Sequence, residues 1–297
     1  MKPINTIKLL VPKDDFWINE DYDSLTTAYS DTDSCYIDFS LFSDKIDERG
    51  IDWFTELADG IASEVNDSFP EFMQSVFLCP EDLSKRIESD REVISDGAVF
   101  FNKKRYAMKV KNLEGVACDK IKVMGLEIKK SDTPKVVQDF LKTIIKMLLD
   151  NTKYQEVNNY VESFKKSYYE MSVTEIGIPM NLKNLVKYEN IYNQTGSTKR
   201  FPRHATGAIA YNRMCGVDDA KIRSGDKVKV IYTKMFDYKT LSIPADQSNL
   251  PTFVKDTIID YDLMWSKIYD KVQMYLKPIG YDKESRQTNF VKSFLEF

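Results

Sequence analysis

The chain has 297 residues, 42% hydrophobic and 30% charged, with a formal net charge of −4. That length suits one large domain or two medium ones, burying roughly 75% of the unfolded surface with no need of disulfides or a structural metal. The four cysteines form no CxxC pair, His204 is the only histidine, and the 11 glycines make no GxGxxG or Walker-type loop. This argues against zinc or iron–sulfur centres, two-imidazole mechanisms and Rossmann or P-loop nucleotide sites, and leaves carboxylate chemistry. No apolar run approaches a membrane span and Met1–Asn5 opens no secretory signal, so the expectation is a cytoplasmic protein with no membrane partner.

The net charge conceals an asymmetry. Residues 1–98 carry 8 Lys/Arg against 23 Asp/Glu, whereas residues 99–297 carry 34 against 23. Either the two signs pair on a common surface, or the basic part meets a polyanion and the acidic part a metal. The basic residues cluster at Lys103-Lys104-Arg105, continuing through Lys109, Lys111, Lys120, Lys122, Lys129 and Lys130, and again at Lys199-Arg200-Phe201-Pro202-Arg203-His204. Two basic sites mixed with aromatics suit a surface that tracks a nucleic-acid backbone. The second, beside Gly196-Ser197-Thr198, reads as an exposed loop.

In chain order, residues 1–24 are a polar, acidic arm. Leu25–Ala28 and Cys35–Phe39 read as strands of a β-hairpin around the turn formers Tyr29–Ser34. Residues 50–78 have helical spacing. Short strands are expected at Glu92–Ile94, Ala98–Phe101 and Tyr106–Val110, with turns at Asn102 and Asn112. Thr133 and Pro134 fit the N-cap and first position of a helix running to Asp150. Further helices are expected at Tyr154–Tyr169 and Val254–Leu276, with a strand at Lys227–Tyr232 between them. Strands give way to helices near residue 131, the expected domain border.

Asp31 and Asp33 flank Thr32 at the hairpin tip. Such a turn can present both carboxylates to a hard divalent cation such as magnesium, although Asp and Thr also favour ordinary solvated turns. Further motifs follow in order: Asp90-Arg91-Glu92, Lys103-Lys104-Arg105-Tyr106, and Lys122-Val123-Met124-Gly125-Leu126-Glu127 with Thr133-Pro134. Together with Tyr29-Ser30-Asp31-Thr32-Asp33-Ser34, this series resembles the YGDTDS palm motif and KKRY primer-binding motif of family B DNA polymerases. The likeness is to the replicative polymerases of tailed bacteriophages, from about Leu25 onward.

That resemblance implies an α+β fold: an antiparallel palm sheet segment with helices over 25–130, then a mainly helical thumb over 131–284. It implies Mg2+ in a two-metal site, with Asp33 the main ligand, Asp31 assisting and Glu92 a supporting acidic group. Lys103, Lys104, Arg105 and Tyr106 would hold the primer terminus, Lys104 and Tyr106 sharing one strand face. Lys199, Arg200, Arg203 and His204 would meet primer–template DNA in the thumb. The tail 285–297 resembles a sliding-clamp-binding peptide through Gln287, Phe290, Phe294, Leu295 and Phe297. Two departures are Ser30, where the family has Gly, and Thr206-Gly207, where it has Arg-Gly.

The exonuclease domain, the DxxSLYP palm segment and the KxxxNSxYG finger helix of complete family members do not occur in this sequence. The reading is therefore of a split DNA-directed DNA polymerase whose N-terminal partner chain carries the exonuclease, the remaining palm and the fingers, acting in the host cell cytoplasm. Residues 1–24 would be the docking arm. The alternative is a non-catalytic module, or polymerase remnant, that binds DNA and the clamp.

Overall fold

The computed structural model describes residues 26–31, 34–39, 42–217, 219–235, 237–246 and 249–277, with the backbone alone for 26–29 and 31. The arm 1–24, Asp33 and the tail 285–297 lie outside the described residues. The fold is α+β with antiparallel sheets, and the chain divides into two compact units between Met124 and Gly125.

In the first unit, β1 (Thr26–Asp31) pairs antiparallel with β2 (Ser34–Asp38). These strands reach further than the hairpin expected from the sequence, and the register Asp31↔Ser34 leaves only Thr32 and Asp33 between paired positions. Ser30 is a strand residue opposite Cys35 and does not adopt positive φ. Extended backbone asks nothing of glycine, so serine is accommodated there.

Helices α1 (Ser43–Arg49) and α2 (Ile51–Phe77) follow, then the short α3 (Glu81–Ser84). Within α2, Phe54 and Ile61 are buried seven residues apart on one face. A meander comes next: β3 (Val93–Asn102), β4 (Arg105–Leu113) and β5 (Val116–Met124). β3 is one bulged strand where the sequence suggested two pieces. Asn112 lies within β4 and makes no turn. Its amide oxygen accepts from Gly115 N at 3.0 Å, bracing the reversal at Glu114-Gly115, both of which have positive φ. β4 is central, and Tyr106, Met108 and Val110 form a small core packed by Tyr36, Val93, Phe100, Leu113 and Cys118.

The second unit begins earlier than residue 131 because the 3₁₀ turn Glu127–Lys129 is fastened within it. The Tyr275 hydroxyl donates to Glu127 Oε2 at 3.0 Å, and Lys130 pairs with Oε1 at 2.9 Å. Burial pushes the Glu127 carboxyl up, but these two partners outweigh it and hold it below its ordinary value.

Helix α4 (Lys135–Leu149) starts one residue later than expected, with extended Pro134 at its N-cap. It buries Val137, Phe140, Leu141, Ile144, Ile145, Leu148 and Leu149, a continuous apolar face. Each such side chain contributes about 1.5–3 kcal/mol when taken fully out of water. Phe140 stacks on Phe164 of α5 (Tyr154–Tyr168) with ring centroids 3.8 Å apart.

After α6 (Val173–Ile176), β6 (Ile178–Asn181), α7 (Leu185–Thr195) and α8 (Arg203–Met214) come β7 (Lys227–Tyr232) and β8 (Thr240–Pro244). The sheet order is β6-β7-β8, antiparallel throughout. The last expected helix is two: α9 (Thr252–Lys255) and α10 (Tyr261–Leu276). Asp260 breaks them apart by capping α10, its side chain accepting from Leu263 N at 3.1 Å. No helix among the described residues is long and apolar enough to cross a membrane.

Candidate nucleic-acid interface

The first unit presents an acidic hairpin and a basic hairpin. Asp31 ends β1, and Asp33 follows in the two-residue connection outside the described residues. Carboxylates are the hard oxygen donors that magnesium takes, so the donor chemistry of this pair fits that ion. Among the described residues, no three His, Cys, Asp or Glu side chains gather as a metal site.

Lys103 and Lys104 form the turn between β3 and β4, where Asn102 pairs with Arg105. Lys104 therefore stands in the turn at φ 59°, not on a strand face beside Tyr106. Tyr106 lies within β4 and is 7% exposed, so its ring sits in the core and does not project with the lysines as the sequence suggested. Its hydroxyl is 2.9 Å from that of Tyr36 on β2. Sequence reasoning missed Tyr36, whose apolar neighbourhood marked it as an ordinary strand residue.

Glu92 directly precedes β3, so the ten residues of that strand separate it from the Lys103-Lys104 turn. It is ion-paired with Lys122 at 2.5 Å. Arg91 beside it is structural: its guanidinium grips Asp59 of α2 through two nitrogens and donates to Asn112 Oδ1 at 2.9 Å. Lys111 pairs with Asp96 at 3.3 Å and Asp119 at 3.0 Å, and Lys130 pairs with Glu127. Part of the basic run is thus neutralised locally.

The second unit offers a different basic surface. Thr198 to Phe201 make a β-turn closed by Phe201 N donating to Thr198 O at 3.0 Å. Its third residue, Arg200, has φ 72°, a position usually given to glycine. Lys199 and Arg200 are exposed on this turn, whereas Arg203 and His204 open α8 and are not loop residues. The Arg203 guanidinium lies over the Tyr232 ring, 5.3 Å from its centroid, and donates to the Tyr232 hydroxyl. Burial pushes the His204 imidazole below its ordinary 6.5, so it is neutral at pH 7 and adds no charge.

Arg203, Thr206, Tyr232, Lys234 and Lys239 line an open cleft of about 530 Å³. Lys234 is tied to Asp262 at 3.2 Å. Sequence reasoning missed Lys234 and Lys239, because only the β7–β8 pairing brings them beside the start of α8. Gly207 explains how α8 reaches that sheet: a Cβ there would meet Ser242 N at 2.6 Å and Leu241 C at 2.8 Å. Ser242 Oγ donates to His204 O at 2.9 Å and Thr240 Oγ1 to Arg203 O at 3.3 Å, seating the helix on β8. Asn212, further along α8, pairs through its amide with both backbone groups of Ile222.

No protein-family model matches the chain. It is similar to the DNA-directed DNA polymerase of Escherichia phage RB69, 28% identical in an alignment of 269 positions that covers 82% of this chain and 29% of that protein. It is also similar to the DNA-directed DNA polymerase of Enterobacteria phage T4, 27% identical over the same shares. The chain thus spans 29% of the length of these relatives. Among solved structures, the family B DNA polymerase from the hyperthermophilic archaeon Pyrobaculum calidifontis superposes at TM-score 0.49 with 14% identity, over 85% of this chain and 26% of that one. The phage relatives bear out the resemblance to a part of a phage DNA polymerase.

Proposed function

We propose that this region is the part of a DNA-directed DNA polymerase that contributes half of the palm's carboxylate site and the thumb that grips the duplex. The observation that carries the reading is the similarity to two phage DNA polymerases over 82% of the chain. In it, Asp33 and Asp31 are the groups that would hold Mg2+. Bound there, the ions would stabilise charge on the attacking and leaving oxygens of phosphoryl transfer. The second metal-binding aspartate, the nucleotide-gripping helix and the exonuclease belong to polypeptide outside these 297 residues. The tail residues Gln287, Phe290, Phe294, Leu295 and Phe297 are proposed to bind a sliding clamp.

The chain's own residues hold the primer–template. Lys103, Lys104 and Arg105 offer cations from a tight turn, while Lys199, Arg200, Arg203 and the cleft lysines offer them from the thumb. Contacts of this kind neutralise phosphates and set register, but read no sequence. Glu92, salt-bridged at the far end of β3, is not assigned to the metals.

Binding of a fluorescent primer–template by the 297-residue chain across a salt series tests the duplex-gripping role. The expected result is an affinity that falls steeply and log-linearly with salt, by a slope of about −0.9 per neutralised phosphate. Arg203→Ala and Lys104→Ala should each weaken binding and reduce that slope by about one. Affinity independent of salt, or unmoved by both substitutions, would contradict the reading.

A further inference from the structure

Two hairpins distant in sequence meet through a pair of phenols. Tyr36 lies three residues past Asp33, and Tyr106 two residues past Lys104. Their hydroxyls are 2.9 Å apart and their ring centroids 5.5 Å apart. Phe100 packs against both, at 5.5 Å from Tyr36 and 5.6 Å from Tyr106. A buried hydroxyl needs a partner, and leaving one unsatisfied costs about 1–3 kcal/mol. Each phenol supplies that partner for the other. On β2 Tyr36 lies two residues past Ser34, the partner of Asp31, and on β4 Tyr106 directly follows Arg105, the partner of Asn102, so the pair ties one hairpin to the other.

We infer that Tyr36 is a positioning residue: with Tyr106 it forms a strut that fixes the carboxylate hairpin relative to the Lys103-Lys104 turn. This rests on the polymerase reading, in which metals bind at the first hairpin and the primer terminus at the second. Nucleotide addition needs the primer oxygen placed against the metal site, and small misplacements there lower the rate substantially. The strut reading also gives Tyr106 a role consistent with its burial.

The test is a double-mutant cycle with Tyr36→Phe and Tyr106→Phe in the complete polymerase that contains this region. It is read by the rate and amplitude of the first nucleotide addition on a preformed primer–template complex. Both single variants are expected to lose a similar factor, about tenfold, in rate at unchanged amplitude, and the double variant to be no slower than either. A loss confined to Tyr106→Phe would mean that Tyr106 acts on the primer alone, and would overturn the strut. Losses that multiply, or amplitudes that fall while rates hold, would overturn it as well, the last indicating a role in folding only. A thermal-unfolding cycle of the same substitutions in the 297-residue chain reads the pair without any activity. Absence of coupling there removes the strut whatever the function. If the wild-type polymerase adds no nucleotide, the functional reading fails, and the positioning role falls with it.

Discussion

Arg200 and Lys104 share an uncommon property: both are cations held at positive φ, each within one of the two basic clusters. An L-residue in that region carries a penalty of roughly 1–2 kcal/mol, and strain of this sort gathers where a side chain must be aimed. Arg200→Gly should therefore raise stability by about 1 kcal/mol in thermal unfolding while weakening duplex binding. Arg200→Ala should weaken binding without the gain in stability. Duplex affinity unchanged in both variants would detach the turn from the interface. His204 supports a pH prediction. Its folded pKa lies below 6.5 because burial disfavours the charged ring, so the unfolded chain binds more protons as pH falls below about 6.5. Stability should drop through that window, and His204→Asn should flatten the drop. An identical acid limb in the variant would mean that the imidazole is solvated.

At the scale of elements, α8 and the aromatic core of the second unit make opposite predictions. Gly207→Ala forces a Cβ onto the backbone of β8 and should cost about 1–3 kcal/mol, disturbing the seat of Arg203 with it. Tyr168, by contrast, packs at 5.8 Å from Trp265 with its hydroxyl buried and no hydrogen-bond partner among the described residues. Tyr168→Phe removes an uncompensated polar group and should stabilise by about 1 kcal/mol, and a clear loss on unfolding would show that the hydroxyl is paired. The sequence made α2, α4, α5 and β7 legible, because period-3.6 spacing and β-branched runs report burial directly. It left β5 unread, since Val116–Met124 is an exposed edge strand whose Lys120 and Lys122 dilute the apolar signal of a strand. It also placed Lys104 and Tyr106 on one face, because spacing alone does not distinguish a strand from a two-residue turn. The cleft lysines were hidden for another reason: their proximity to Arg203 exists only once β7 and β8 pair beside α8.

Over the whole molecule, the acidic first stretch and basic remainder find partial internal compensation, as in Lys111 with Asp96 and Lys122 with Glu92. The turn at Lys103–Arg105 and the cleft beside α8 are the basic surfaces proposed to meet DNA, each on its own unit. The aromatic residues of the tail sequence belong to the same scale. Phe290→Ala with Phe294→Ala should shorten products made with a sliding clamp while leaving single-nucleotide addition intact, and equal losses in both assays would make the tail structural. The central claim is that these hairpins serve template-directed synthesis. Its most direct measurement is primer extension by the polymerase captured, through a tag on this region, from the cells that make it, beside the same preparation carrying Asp33→Ala. The account predicts extension by the first, none by the second, and equal duplex affinity in both. Extension undiminished by Asp33→Ala would contradict the site, and duplex binding without extension in either would leave a DNA-binding module in place of an enzyme.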